Sequence, residues 1–281
     1  MPDFSDRTFV ERYASFLVAA HQSFDGAAVR LPRWWDVKSR RSARKPWRPV
    51  MDAALRQSAE PDGMILEFGV FRGDSIRHLA RRRPNSAIHG FDSFEGFPDD
   101  NRADWRQDFS VATLPVVPDN VTLHQGFFDQ TVPPFVELWR QERPSLALVH
   151  IDCDIFSSTQ IVLDQLGSFL RPGDVIVFDE LMNYTEFAAN EFLAFYLLLD
   201  RIGLDFEWAA TWGRAYPLLE TEGRMLDVGF DGYRAAGFFQ NQAVRLKDRG
   251  TGTHFNAPAA SPALVERLRG ALADVPDGVR V

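Results

Sequence analysis

Four acidic residues stand at the ends of two apolar segments of the sequence, and together they could bind a metal ion. Asp152 and Asp154 end the segment LALVHIDCD, and Asp179 and Glu180 end DVIVFDE. Neighbouring buried carboxylates cannot all ionise without a cation, because each raises the pKa of the others. Oxygen ligands suit Mg²⁺ or Ca²⁺ better than zinc. The spacing predicts Asp152, Asp179 and Glu180 as metal ligands; the alternative is that Asp154 or Asp179 caps the following helix while the other acids are solvated.

The segment ILEFGVFRGDS combines an acid with two glycines at the end of another apolar run. Its pattern is E-x-G-x-x-x-G, formed by Glu67, Gly69 and Gly73, with Ser75 just beyond. A nicotinamide-binding turn has the pattern G-x-G-x-x-G, and Phe71 occupies the place of its second glycine. Because glycine permits close backbone approach, this loop predicts a bound ligand other than a dinucleotide.

An acid at the end of the next apolar segment indicates recognition of a nucleoside. Asp92 ends SAIHGFD, and Ser93 follows it. A carboxylate at the tip of that strand can accept hydrogen bonds from both hydroxyls of a ribose. The alternative is that Asp92 only begins a turn or caps a short helix.

The segment QGFFDQT offers a surface for an adenine ring. Gly126, Phe127 and Phe128 follow an apolar strand and could present backbone and aromatic rings to the base. Aromatic residues after a strand also commonly belong to the hydrophobic core. Both interpretations stay open at the level of the sequence.

All of these residues require a sheet that brings strand ends together. Apolar strands are predicted at residues 64–70, 86–92, 121–126, 146–152, 174–180, 206–212 and 243–248, and helices at 9–24, 48–60 and 261–275 as well as between the strands. This alternation predicts an α/β fold with a doubly wound, mostly parallel sheet covered by helices on both faces. Ligands of such sheets bind beyond the carboxyl ends of the strands, where the residues above lie.

The composition excludes several classes of protein. The chain has 281 residues, 45% of them hydrophobic, and a formal net charge of −8. This charge argues against a nucleic-acid binder, which usually carries a basic field. Cys153 is the single cysteine, and the longest apolar run, residues 192–199, is too short to span a bilayer. We therefore expect a cytoplasmic protein that binds neither nucleic acid nor membrane.

Five segments carry a resemblance to a known family. In chain order they are ILEFGVFRGDS, FDSFEGFP, QGFFDQTVPPF, HIDCDIFSST and RPGDVIVFDE. This series resembles the successive motifs of the macrocin O-methyltransferase family (TylF/MycF-like), which are S-adenosylmethionine-dependent class I methyltransferases of antibiotic tailoring. The resemblance covers about residues 62–185.

The resemblance implies roles for individual residues. Glu67 would lie near the methionine part of S-adenosylmethionine, Asp92 would hold its ribose, and Asp152, Asp179 and Glu180 would bind Mg²⁺. Two positions depart from the family: Glu180-Leu181 stands where Asp-Tyr is usual, and CDIFSST replaces G-D-L-Y-E-S-T.

The expected reaction is methylation of a hydroxyl on a small-molecule acceptor. A metal held by the three acids could chelate a vicinal diol and lower the pKa of one hydroxyl. Asp152 or Asp154 would then take the proton; His150 is also conceivable as a base but is more often a packed core histidine. A sugar or other natural product is the first acceptor class, with a catechol or phenol as the alternative. A non-methylating relative, hydroxylase-like or purely binding, is the third hypothesis.

Three segments are predicted around this core: an N-terminal helical cap over residues 1–60, the methyltransferase domain over 61–250, and a tail with a helix over 251–281. The cap is expected to cover the acceptor side, within one chain or across a homo-oligomer. The basic stretch 38–45 is either a solvated loop or a patch for an anionic acceptor. The stretch 93–120, with Trp105, is too long for a simple connection and is expected to form a lid or acceptor wall.

Overall fold

The structure is a computed structural model. It describes residues 2–31, 47–98, 109–142, 145–216, 218, 238–273 and 275. The basic stretch 38–45 and Trp105 lie outside the described residues, so the predictions made for them stay predictions. Within the described part of the chain, no helix is both long enough and apolar enough to cross a membrane.

The strands form one mixed, mostly parallel sheet, which confirms the predicted α/β fold. They are β1 (Val29–Leu31), β2 (Met64–Phe68), β3 (Ile88–Asp92), β4 (Val121–Gln125), β5 (Leu146–Ile151), β6 (Val175–Phe178), β7 (Leu204–Trp212) and β8 (Gln242–Asp248). Their order across the sheet is β1-β7-β8-β6-β5-β2-β3-β4. Strand β8 runs antiparallel to both of its neighbours, and the other pairs are parallel. The seven predicted strands are present, and the three-residue edge strand β1 is an addition that no sequence pattern indicated.

Helices cover both faces of the sheet, as predicted. They are α1 (Arg7–Ser23), α2 (Trp47–Gln57), α3 (Asp74–Arg82), α4 (Phe128–Glu142), α5 (Phe156–Leu166), α6 (Glu191–Ile202) and α7 (Pro262–Leu272). Alternate strand residues face opposite sides: Leu66 and Phe68 belong to one hydrophobic cluster, and Ile65 to the other. The first cluster joins the sheet to α1, α4, α5, α6 and α7, and the second joins it to α2 and α3.

The predicted N-terminal helix is present and packs into the hydrophobic core. Phe9, Tyr13 and Phe16 of α1 are buried in the same cluster as Leu268 of α7 and the strand residues. Tyr13 also donates a hydrogen bond from its hydroxyl to the carbonyl of Ala188, at 2.7 Å. The division into segments 1–60, 61–250 and 251–281 stays a prediction.

A pair of histidines on β3 and β4 makes stability depend on pH. His89 Nδ1 and His124 Nε2 are 3.0 Å apart. Burial, with the neighbouring His124 as a second cause, lowers the pKa of His89 from 6.5 to about 4, and burial lowers the pKa of His124. Between about pH 4 and 6.5 the folded chain therefore binds fewer protons than the unfolded chain, so the pair's contribution is present above this window and is lost as the pH falls through it.

We expect the variant His89→Gln to lose less stability on acidification than the unmodified protein. Between pH 7.5 and 4.5 its melting temperature should fall by about 2–4 °C less, the change expected for roughly 1 kcal/mol in a chain of this size. Thermal denaturation of both proteins across this range measures the difference. Parallel curves would show that the histidine pair does not carry the effect.

Candidate active site

A cavity of about 600 Å³ opens at the carboxyl ends of the parallel strands. Among the predicted site residues it is lined by Gly69, Asp92, Ser93, Phe127, Phe128, Asp152, Asp154, Asp179 and Glu180. These residues follow five different strands, and the crossover connections bring them to one edge of the sheet. Its size falls within the range of small-molecule sites. The lining does not include Glu67, Gly73, Ser75 or Gly126.

Glycine is required at position 69 because the chain after β2 lies close to the backbone of Asp152 after β5. It has a φ of +89°, and a Cβ atom added there would overlap the carbonyl oxygen of Asp152 and lie 2.8 Å from its carbonyl carbon. The sequence interpretation assigned this glycine to contact between ligand and backbone. The structure shows a different constraint, because the missing side chain makes room for the chain of β5.

Gly73 shapes the start of α3 and stands back from the cavity. It adopts a left-handed conformation with φ +75° immediately before the helix begins at Asp74. A Cβ atom added there would lie 3.1 Å from Pro115 Cβ. Gly126 likewise has a φ of +136°, and its amide donates to the carbonyl of Asp92. Both glycines thus set the course of the chain beside the cavity.

The carboxylate of Glu67 is buried and has two protein partners. It is 0% exposed. Ser75 Oγ donates to Glu67 Oε1 at 3.0 Å, and His150 Nδ1 lies 3.0 Å from Oε2. The sequence interpretation expected Glu67 to meet a ligand directly or through water. In the structure Glu67 and Ser75 instead hold the His150 ring in place, because strand pairing sets Glu67 opposite His150.

Asp92 faces the cavity while holding the glycine loop. Its Oδ2 accepts hydrogen bonds from the amides of Val70 and Phe71, at 2.8 and 2.7 Å. Its Oδ1 accepts from the amide of Phe94 at 2.6 Å. A carboxylate offers about four acceptor positions, so about one remains, on Oδ1. Asp92 thus holds the turn and also faces the cavity, so its contact with a ribose hydroxyl stays a prediction.

Several carboxylates crowd the far side of the cavity. Burial raises the pKa of Asp152 well above its ordinary value, and the charges of Asp179 and Asp154 raise it further. Burial and Asp179 raise the pKa of Asp154 to about 7, although a hydrogen bond with Glu180 opposes this. Burial, followed by Asp154, raises the pKa of Glu180 well above its ordinary value. The group cannot hold all its negative charge without a cation or protons.

Asp154 is held in a strained backbone conformation. Its φ is +60°, which is uncommon outside glycine and tends to occur at functional sites. The amide of the Asn190 side chain donates to the Asp154 carbonyl at 2.8 Å. Helix α5 begins only after Ile155, which is its N-cap and provides no side-chain hydrogen bond. Asp154 therefore does not cap the helix and directs a carboxylate to the cavity.

His150 is a functional candidate that the sequence interpretation placed in the core. It is buried, and its Nε2 has no hydrogen-bond partner in the structure. A ring nitrogen of His150 and carboxylate oxygens of Asp152 and Asp179 all lie within 4.8 Å of one another. His150 lies two residues before Asp152, and strand residues two positions apart point to the same face of the sheet. This alternation was the sequence signal that could have placed His150 in the site. Glu180, predicted as a ligand, is not part of this group.

Aromatic rings form the opposite wall. Phe71 packs edge-on against Phe109 at 5.5 Å between ring centroids, and Phe97 does so at 5.1 Å. Phe128 faces the cavity and also packs against Phe68 of β2 at 5.9 Å. Phe97 and Phe109 belong to the stretch 93–120, so the described part of that predicted wall does border the cavity.

Comparison with known proteins identifies the domain. Residues 66–181 match a family model described as a methyltransferase domain. No curated protein matches the sequence significantly.

Similar solved structures include three methyltransferases. CalS11, a calicheamicin methyltransferase, is 25% identical with a TM-score of 0.49, over 73% of this chain and 80% of that one. The O-methyltransferase NovP is 18% identical with a TM-score of 0.43, over 58% and 73%. MycE of the mycinamycin pathway, solved with Mg and SAH, is 16% identical with a TM-score of 0.39, over 84% and 55%. Structural similarity at this level does not show which substrate this chain uses.

Proposed function

We propose that the protein, whose residues 66–181 match a methyltransferase domain, is an S-adenosylmethionine-dependent O-methyltransferase acting on a hydroxyl of a sugar or another natural-product small molecule. The observation that carries this proposal is the cavity itself. At one edge of the sheet it combines the acid after β3 with the carboxylates after β5 and β6. One end is suited to a nucleoside and the other to a cation and a hydroxyl. Two substrates of a group transfer would thus meet in one cavity.

The nucleoside end has suitable groups for the cofactor, which supplies the methyl group when bound. Asp92 Oδ1 retains about one acceptor position for a ribose hydroxyl. Phe127 and Phe128 border the cavity after β4, where a base can stack on a ring. Glu67 does not line the cavity, and it contributes by holding the His150 ring through its carboxylate.

The carboxylate end fits a divalent cation, because a cluster of buried acids and an unpartnered imidazole nitrogen lie together. Two donor sets are available. Asp152, Asp179 and Glu180 give the all-oxygen set that Mg²⁺ prefers. His150, Asp152 and Asp179 give a mixed set that suits Mn²⁺ or another transition metal, with Glu67 as the carboxylate that orients a metal-bound histidine. A bound cation would lower the pKa of a coordinated hydroxyl.

The residues of the chain contribute positioning, proton transfer and exclusion of water. Asp154 has a pKa of about 7, so near neutral pH its carboxylate can accept the proton of the acceptor hydroxyl. The wall of Phe71, Phe97 and Phe109 shields the reacting groups from solvent. In-line methyl transfer depends mainly on close approach and orientation, which a narrow cavity with a fixed aromatic wall provides.

A phenolic or catechol acceptor is the second candidate. The aromatic wall favours it, because flat rings pack well against Phe97 and Phe109. An acceptor panel of glycosides and catechols, assayed by mass spectrometry with S-adenosylmethionine and Mg²⁺ or Mn²⁺, separates the two. Binding of cofactor without turnover of any acceptor in either metal would instead support a non-methylating protein of this fold.

Replacing Asp92 by Ala is expected to weaken S-adenosylhomocysteine binding by roughly 1.5–3 kcal/mol, because a charge-assisted hydrogen bond to ribose is lost and the loop at Val70 and Phe71 is released. Calorimetry measures the affinity. Glu95→Ala is the control, since Glu95 is an exposed acid three residues on that does not line the cavity. Equal affinity of Asp92→Ala and Glu95→Ala would remove Asp92 from the cofactor site.

A further inference from the structure

A second cavity, of about 670 Å³, lies between helices α2 and α3 and is strongly basic. Its lining comprises Leu31, Arg48, Pro49, Asp52, Arg56, His78, Arg81 and Arg82. No residue is shared with the cavity at the strand ends. Among the described residues, four arginines and one aspartate line this cavity, although the whole chain carries a net charge of −8. The concentration of positive charge in one concave site therefore runs against the charge of the protein.

The single aspartate is already committed to two partners. Asp52 Oδ1 bonds His78 Nε2 and Oδ2 accepts from Arg82 Nη2, both at 2.8 Å. These bonds orient His78 and Arg82 beside the cavity. They leave the other three guanidinium groups without compensation from Asp52, the one acid among the described lining residues.

The remaining three arginines have no counter-ion within the described part of the chain. Arg48, Arg56 and Arg81 form no hydrogen bond or ion pair with a described residue. Arg48 is half-buried, its guanidinium lies 5.2 Å from the centroid of the Trp47 ring, and its Nε is a buried donor without a partner. A buried unpaired donor is costly unless a ligand satisfies it. This atom is the independent sign that something binds here.

The positive field acts on the one titratable neutral group in the lining. Burial is the main cause that lowers the pKa of His78, and the charges of Arg82 and Arg48 lower it further despite the bond to Asp52. The first turn of α2, which includes Arg48 and Pro49, adds the partial positive charge of a helix N-terminus. Guanidinium groups and a helix N-terminus are together suited to phosphate oxygens.

We propose that the cavity between α2 and α3 is a binding site for a phosphate-bearing small molecule, separate from the methyltransferase site. A small ligand fits better than a long polyanion, because the cavity has the size of a small-molecule site. The carboxylates at the strand ends would repel the same ligand, so the two cavities select opposite charges.

The test measures binding of inorganic pyrophosphate by calorimetry, without divalent metal and at constant ionic strength. The double variant Arg56→Gln/Arg81→Gln should bind at least about tenfold more weakly, since two charged hydrogen-bonding groups are removed. Both side chains are exposed, so the variant should fold, and its melting temperature checks this. Arg12→Gln is the matched control, an exposed arginine of α1 outside the cavity.

A tenfold loss confined to the double variant supports the site. Absence of pyrophosphate binding at millimolar concentration would overturn the proposal, as would equal affinities for the double variant and Arg12→Gln. Citrate binding as tightly as pyrophosphate would also overturn it, because general attraction of anions would then be the cause. The assay uses neither cofactor nor turnover, so its outcome is independent of the methyltransferase proposal.

Discussion

Asp179→Asn is expected to reduce methyl transfer by more than about 100-fold, because it removes one negative charge from both available donor sets of the cation site. Asn keeps the size of the side chain, and relief of repulsion with Asp152 should leave the metal-free chain at least as stable. Turnover assays with and without chelator, together with thermal denaturation, measure both effects. Asp248→Asn, at an exposed position ending β8, is the matched control.

The same assay separates the two donor sets. If the all-oxygen set holds the cation, Glu180→Gln should lower the affinity for the metal. If the mixed set holds it, His150→Gln should lower that affinity. Glu180→Asp should retain at least part of the activity in either case. Calorimetry with Mg²⁺ and Mn²⁺ gives the affinities directly. Full turnover of Asp179→Asn in the presence of chelator would show that the acids are structural.

Gly69→Ala is expected to destabilise the fold by more than about 3 kcal/mol, since overpacking against a carbonyl group adds to the cost of a left-handed backbone. The added Cβ would overlap the backbone of Asp152, which has little freedom to move inside the sheet. Urea denaturation of the variant measures the free energy of unfolding.

Gly173→Ala supplies the control for this effect. Gly173 has a φ of +99°, yet an added Cβ would meet nothing within 4 Å. Gly173→Ala should lower the free energy of unfolding by only about 1–2 kcal/mol, which is the cost of placing a residue with a Cβ atom in a left-handed backbone conformation. Equal destabilisation by the two variants would mean that contact with Asp152 is unimportant.

The sheet was predictable because its inner strands are continuously apolar and end in polar residues. The pattern gave β2, β5 and β6 to within two or three residues. It did not give β1, because three residues are too few to show a period. The packing position of α1 was also not predictable, since an amphipathic helix does not specify which apolar surface it covers.

The cavity residues were predictable from strand ends, whereas their contacts were not. Glu67 is paired with His150 by the register of β2 against β5. That register joins residues far apart in the chain, so the sequence showed an acid near a strand end but not the partner that occupies it. For the same reason the unpartnered nitrogen of His150 could not be read from the sequence.

The contact between Gly69 and Asp152 bears on how the substrate range can be changed by protein engineering. It locks the backbone of the nucleoside end to that of the carboxylate end, so changes near either residue disturb both. Phe97 and Phe109 instead lie between β3 and β4, outside the paired strands. A library directed at these two positions can therefore explore new acceptor shapes while leaving the contact between Gly69 and Asp152 intact.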